Sequence, residues 1–183
     1  MKAIETLYKG YKFRSRLEAR WAVFFDNAGI SYLYEPQGFV LRDGTNYLPD
    51  FYLNELKTWV EVKGVLDSKS AHKIELFAED LPDDQRLWVV SDIPNPDDVA
   101  EVNSWFYRAG GCMWDMHFNN GFDQPYLPCV CPVCQKVGIE FDGRGARVCD
   151  HGIGDKSYSS GHPILVDAYR RARQARFEYG QEG

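Results

Sequence analysis

The sequence predicts a mixed α/β (α+β) fold: a core of element order αβββαβ, then a small cysteine-bearing module and a terminal helix. Three observations predict it. Residues 13–29 carry an apolar stripe of helical period, followed by short runs that alternate apolar and polar residues like strands. The stretch Tyr47 to Lys63 reads as two of those strands joined by a polar turn. Four of the five cysteines crowd between Cys129 and Cys149.

The first helix runs from Phe13 to Gly29, with Leu17, Trp21, Phe24, Phe25 and Ala28 as its buried stripe. Ser15 suits the N-cap and Gly29 the C-terminal stop. Ser31 to Glu35 and Gly38 to Leu41 read as strands, broken at Pro36 and Gly44. After the hairpin, Ser68 to Leu81 is a second helix with Ile74, Leu76 and Phe77 turned to the core, and Arg86 to Ser91 is a buried strand. Asp92 to Asp98, with two prolines, marks a boundary. A short helix over Val99 to Tyr107 and an aromatic-rich stretch through Phe122 follow. Pro163 to about Tyr179 forms the last helix, with Ile164, Leu165, Ala168, Tyr169, Ala172 and Ala175 as its stripe. The divisions are thus 1–95, a core; 96–124, a connection; 125–155, the cysteine module; and 156–183, the C-terminal helix.

The hairpin has the most chemistry per residue. With Asn54 to Lys57 as its turn, Leu53 faces Thr58 and Asp50 falls opposite Glu61, Cβ atoms about 4.5–5.5 Å apart. Period-2 alternation puts Lys63 on the face of Glu61 and sends Phe51, Leu53, Val60 and Val62 to the other. Two carboxylates and an ammonium on one face suit a divalent metal and a phosphate. The plainer alternative is a turn at Pro49-Asp50 and a solvated strand face at Glu61 and Lys63.

The bulk numbers set bounds. Hydrophobic residues make up 44% of the 183, against disorder, and no run of about 18 apolar residues predicts a membrane span. The N-terminal residues lack a signal peptide's apolar region, which places the chain in the cytoplasm. A net charge of −6 argues against tight nonspecific DNA binding. Residues 1–20, however, hold six basic side chains against two acidic ones. Arg170, Arg171, Arg173 and Arg176 make a second basic run, read as a solvated face or a DNA-backbone contact.

Cys131-Pro-Val-Cys134, then Cys149-Asp-His151, has zinc-site spacing: one Cys-x-x-Cys knuckle and a second half-site. Gly143 to Ala146 between them suits a tight hairpin. His151 fits as fourth ligand, with Cys129 as the competitor. A redox Cys-x-x-Cys and free buried thiols are the other readings. Cys112 reads as core, His117 as a surface histidine, His162 as part of the start of the last helix and Phe177 as an anchor for its end.

Phe13-Arg-Ser-Arg-Leu-Glu18, Tyr34-Glu-Pro36, Leu48-Pro-Asp-Phe51 and Val60-Glu-Val-Lys-Gly64 together resemble the PD-(D/E)xK nuclease superfamily. The likeness spans about residues 10–93 and is strongest to phage junction-resolving endonucleases and transposase nuclease subunits. It implies a restriction-endonuclease-like core in which Glu18, Asp50 and Glu61 bind Mg²⁺ or Mn²⁺, and Lys63 orients or helps deprotonate the attacking water and offsets charge on the phosphorane. Phosphodiester hydrolysis of DNA, branched or phage intermediates included, is then the expected reaction. The cysteine module is absent from the family's pattern, and its zinc-ribbon-like Zn²⁺ site is expected to be structural. A homodimer is a further partner that the resemblance raises.

Glu18 has a second reading, since Ser15-x-x-Glu18 is also a capping box. Arg14, Arg16 and Arg20 flank it and are candidate phosphate contacts, as is Lys69 at the start of the second helix. His72 and Lys73 read as solvated. The rival for the whole chain is a noncatalytic DNA- or protein-binding adaptor with a nuclease-like fold and a structural zinc module.

Overall fold

The structure is a computed structural model that describes residues 4–97, 104–108, 111–112, 127–140, 149, 151 and 161–177. A short hairpin, β1 (Thr6–Tyr8) and β2 (Tyr11–Phe13), leads into α1 (Arg16–Ala28). Next come β3 (Tyr32–Tyr34), β4 (Phe39–Val40), β5 (Asn46–Tyr47), β6 (Phe51–Leu53), β7 (Thr58–Val62), α2 (Ser68–Glu79) and β8 (Arg86–Val90). The chain continues through β9 (Ser104–Arg108), β10 (Gly111–Cys112), β11 (Leu127–Val130), β12 (Val137–Glu140) and α3 (Pro163–Gln174). The result is a mixed α+β fold with several sheets and three helices among the described residues.

The main sheet has six strands in the order β10-β9-β8-β7-β6-β3. Its one parallel pair, β7 with β8, is connected through α2, as a parallel crossover requires. The β6–β7 register pairs Phe51 with Val60 and Leu53 with Thr58, as the hairpin reading expects. Phe51, Leu53, Val60, Val62, Trp88 and Val90 face α1 in one apolar cluster. Trp59, Leu87 and Val89 face α2, whose Ile74, Leu76 and Phe77 close a second cluster with Tyr47 and Leu41. Each large apolar side chain so buried contributes about 1.5–3 kcal/mol, and that holds the hairpin between the two helices.

Local chemistry explains the helix ends. Ser15 caps α1 by accepting from the Glu18 amide, and Gly29 takes the left-handed conformation (φ 69°) that ends it. Trp21, Phe24, Phe25 and Ala28 are buried as the stripe predicts, and Leu17 packs partly buried against the same cluster. Trp21 also donates to the Ser91 carbonyl at 2.7 Å, tying α1 to the end of β8. In α3, Tyr169 stacks on Phe24 at 4.4 Å, so the terminal helix is built onto the core. Arg173 donates to the Ile93 carbonyl at 2.8 Å, a structural role for that arginine. His162 accepts from the Ile164 amide at the start of α3.

Several expectations are corrected. Residues 104–107 lie in strand β9 and not in a helix: Trp105 pairs with Val89 and Phe106 with Trp88, extending the sheet of the core. The backbone pairing with β8 decides between strand and helix in so short a run. Residues 99–103 of that expected helix, His117 and the Gly143 to Ala146 turn lie outside the described residues. Gly38 to Leu41 contributes β4, which pairs with β5 in a separate two-stranded sheet. The terminal helix stops at Gln174, because Ala175 leaves the helical region (ψ 122°). Ile164 is exposed at the first turn and off the buried stripe. Among the described residues no helix is long and apolar enough to cross a membrane.

Candidate active site and metal centre

Asp50 lies one residue before β6, where the pairing register continued from Phe51 and Val60 sets it against Glu61. Its Oδ2 accepts from the Val62 amide at 2.7 Å, which locks the carboxylate onto β7. Glu61 is only 3% exposed, so the reading of a solvated strand face fails. One Glu61 oxygen accepts from the Tyr47 hydroxyl at 2.9 Å, and the other is ion-paired with Lys63 Nζ. The Lys63 amide donates to the Val90 carbonyl at 2.8 Å, so the lysine backbone is fixed by the neighbouring strand.

Electrostatics bind these groups into one unit. Burial pushes the Asp50 carboxyl well above its ordinary range, and the nearby Glu61 and Glu18 push it further, against the opposing pull of Lys63 and the Val62 amide. Burial alone pulls the Lys63 ammonium down, but Glu61, Asp50 and Glu18 outweigh it and hold the group charged. Three carboxyl groups thus act on one ammonium at a largely buried site.

Glu18 takes the capping role of its two expected roles. Its Oε1 accepts from the Ser15 hydroxyl at 2.7 Å, and its Oε2 accepts from the Arg14 amide at 3.0 Å and the Tyr34 hydroxyl at 2.7 Å. The capping box therefore forms, reaching the Arg14 amide in place of the expected Ser15 amide. Glu18 is buried and acts on Asp50 through its charge. Its oxygens are not gathered with those of Asp50 and Glu61 tightly enough for one ion. Among the described residues the only group of three or more His, Cys, Asp or Glu ligand atoms so gathered is the cysteine cluster.

Of the candidate phosphate contacts, Arg14 is half-exposed just before the cap and ion-paired with Glu35. Arg16 and Arg20 lie partly buried on α1, and Lys69 is exposed in the first turn of α2. The hydroxyls of Tyr34 and Tyr47 and the carboxylate of Glu35 join the site without any signal in the sequence pattern. Alternation places a tyrosine on a face but says nothing of where its hydroxyl ends.

In the cysteine module, β11 and β12 form an antiparallel ribbon whose connecting turn carries Cys131 and Cys134. The Cys131, Cys134, Cys149 and His151 ligand atoms lie within 4.8 Å of one another. Cys131 Sγ and His151 Nδ1 are 3.9 Å apart, close to the roughly 3.5–3.8 Å edge that zinc–sulfur and zinc–nitrogen bonds give a tetrahedron. The four residues could hold a metal ion such as zinc. Burial pushes the Cys131 thiol up, yet hydrogen bonds from the Cys134 and Val133 backbone and from the Cys134 and Cys149 side chains bring it down to about 5. A sulfur so surrounded is poised for the thiolate form that binds metal. Cys129, the competing ligand, points away: it is buried and its sulfur lies 3.8 Å from the Gly138 carbonyl.

No protein-family model matches this chain, and no curated protein sequence matches it either.

Proposed function

We propose that the chain is a divalent-cation-dependent DNA endonuclease of PD-(D/E)xK type, hydrolysing phosphodiesters at Asp50, Glu61 and Lys63 on a restriction-endonuclease-like core. One observation carries this reading: Asp50 and Glu61 are buried side by side with too little positive charge to balance them. Burying two carboxylates against one ammonium costs stability, and such clusters gather at functional sites. A divalent cation would relieve that imbalance.

Asp50 and Glu61 would hold the cation, a two-carboxylate set that suits Mg²⁺ or Mn²⁺ completed by water and substrate phosphate. The bound ion would activate water and offset charge on the phosphate. Lys63, whose ammonium form is favoured by its acidic neighbours, would act as a donor that orients the nucleophile and stabilises the developing phosphorane. Glu18 tunes Asp50 from the helix start, and Tyr47 fixes the Glu61 carboxylate. The cysteine cluster, with four protein ligands and no open position, suits a structural Zn²⁺.

The test is incubation with linear, nicked, branched and single-stranded DNA in Mg²⁺, Mn²⁺ or EDTA. Cleavage leaving 5′-phosphate ends is expected with either metal and none with EDTA. Asp50→Ala, Glu61→Ala and Lys63→Ala should each reduce cleavage by about 10²–10³-fold or more while the protein stays folded. Undiminished cutting by an Asp50→Ala/Glu61→Ala protein sinks the assignment. Binding without cutting by the wild type favours the noncatalytic adaptor.

A further inference from the structure

Glu35 links two features of the site that the sequence leaves unconnected. Its backbone amide donates to the Asp50 carbonyl at 2.9 Å, and its carboxylate is ion-paired with the Arg14 guanidinium. Glu35 makes both contacts from a left-handed backbone conformation (φ 43°) immediately before Pro36. A glutamate there is strained, and a following proline narrows its options further. Such strain persists where surrounding contacts over-determine it, and it concentrates at functional positions.

Arg14 is constrained from both ends. Its amide is held by Glu18 Oε2 and the Tyr34 hydroxyl, each at 3.0 Å, and its guanidinium by Glu35. The side chain is nonetheless 53% exposed and acts electrostatically on Asp50. A guanidinium offers five donors in a planar fork, so one edge can rest on Glu35 while another faces an anion. A merely solvated arginine needs neither the strained partner nor the double anchoring of its backbone.

We infer that Glu35 is a positioning residue that presents Arg14 to a backbone phosphate of DNA flanking the Asp50–Glu61 site. The inference rests on the nucleic-acid part of the reading above and adds the partner that orients the contact. Because the arginine is already ordered, less freedom is lost when the phosphate arrives. Charge alone predicts the opposite sign: a carboxylate near a phosphate repels it, so its removal would tighten binding. Positioning predicts that its removal weakens binding, and only while Arg14 is present.

The experiment measures equilibrium binding of a short fluorescent DNA duplex by the full chain, with Ca²⁺ in place of Mg²⁺, over a salt series. Wild type, Arg14→Ala, Glu35→Gln and the double variant are compared after thermal melts show equal folding. Arg14→Ala should weaken binding about tenfold, the loss of one charge-assisted contact, and flatten the salt slope by about 0.9. Glu35→Gln should weaken binding about two- to fivefold and add nothing in the Arg14→Ala background. Tighter or unchanged binding by Glu35→Gln overturns the inference, as does an equal loss with and without Arg14, while cleavage by the wild type leaves the nuclease reading standing. A wild-type chain that binds no DNA overturns both.

Discussion

At the scale of single residues, Asp50 is the position where sequence geometry, burial and charge meet. Its carboxyl is held well above its ordinary range by burial and then by Glu61 and Glu18. The folded protein therefore keeps a proton that the unfolded chain releases. With more protons bound in the folded state, stability falls as pH rises from the ordinary carboxylate value, near 3.9, through the raised folded value. Asp50→Asn keeps an acceptor for the Val62 amide and removes the charge. In metal-free buffer it should raise Tm at pH 8 by about 2–4 °C for each kcal/mol of strain relieved, with a smaller gain at pH 5. Added Mg²⁺ should raise the wild-type Tm and leave Asp50→Asn unmoved. Calorimetry across pH, with and without Mg²⁺, checks both. The positions of Asp50, Glu61 and Lys63 were legible because strand alternation has only two answers and the turn length chose between them. The Tyr34 and Tyr47 hydroxyls were not, since a side chain's final hydrogen bond depends on rotamers and on neighbours distant in sequence.

At the scale of elements, the start of α1 has two duties, capping and charge placement. Ser15 accepts from the Glu18 amide at 3.2 Å and donates to Glu18 Oε1 at 2.7 Å. Ser15→Ala should cost about 1 kcal/mol, a fall of about 2–4 °C in Tm, read by thermal unfolding. It should also free Glu18 Oε1, so cleavage should change by more than a remote surface substitution of equal stability cost. The helix and its cap were readable because period, serine and glycine all agree. The β1–β2 hairpin was missed even though Lys9 (φ 46°) and Gly10 (φ 82°) make the positive-φ turn that such hairpins favour. Lysine at the first of those positions hides a signal that asparagine would advertise. Strand β9 was misread for a different reason: its partner β8 lies at least fourteen residues earlier, and only pairing decides between helix and strand in so short an aromatic run.

At the scale of the whole molecule, the cysteine ribbon is part of the core. Val130, Val137 and Ile139 belong to the same apolar cluster as Trp21, Phe24, Leu165 and Tyr169. Metal loss should therefore be felt well beyond the knuckle: if the ribbon loosens, the apolar surfaces under α1 and α3 lose part of their cover. The Cys-x-x-Cys spacing made the ligand set legible, whereas its union with the core depended on contacts across the full chain. Elemental analysis should find one zinc per chain in the wild type and much less than one in Cys131→Ser, Cys134→Ser or Cys149→Ser. Those variants should melt earlier, and the wild type treated with a strong zinc chelator should match them, because a ligand that binds only the folded state stabilises it by RT ln(1 + [L]/Kd). Cys129→Ser is the decisive control. Its sulfur is buried near the Gly138 carbonyl and outside the four-ligand group, so the variant should keep a full zinc while losing some packing stability. Loss of zinc in Cys129→Ser together with its retention in Cys149→Ser would replace Cys149 by Cys129 in the ligand set and overturn the assignment of the four ligands.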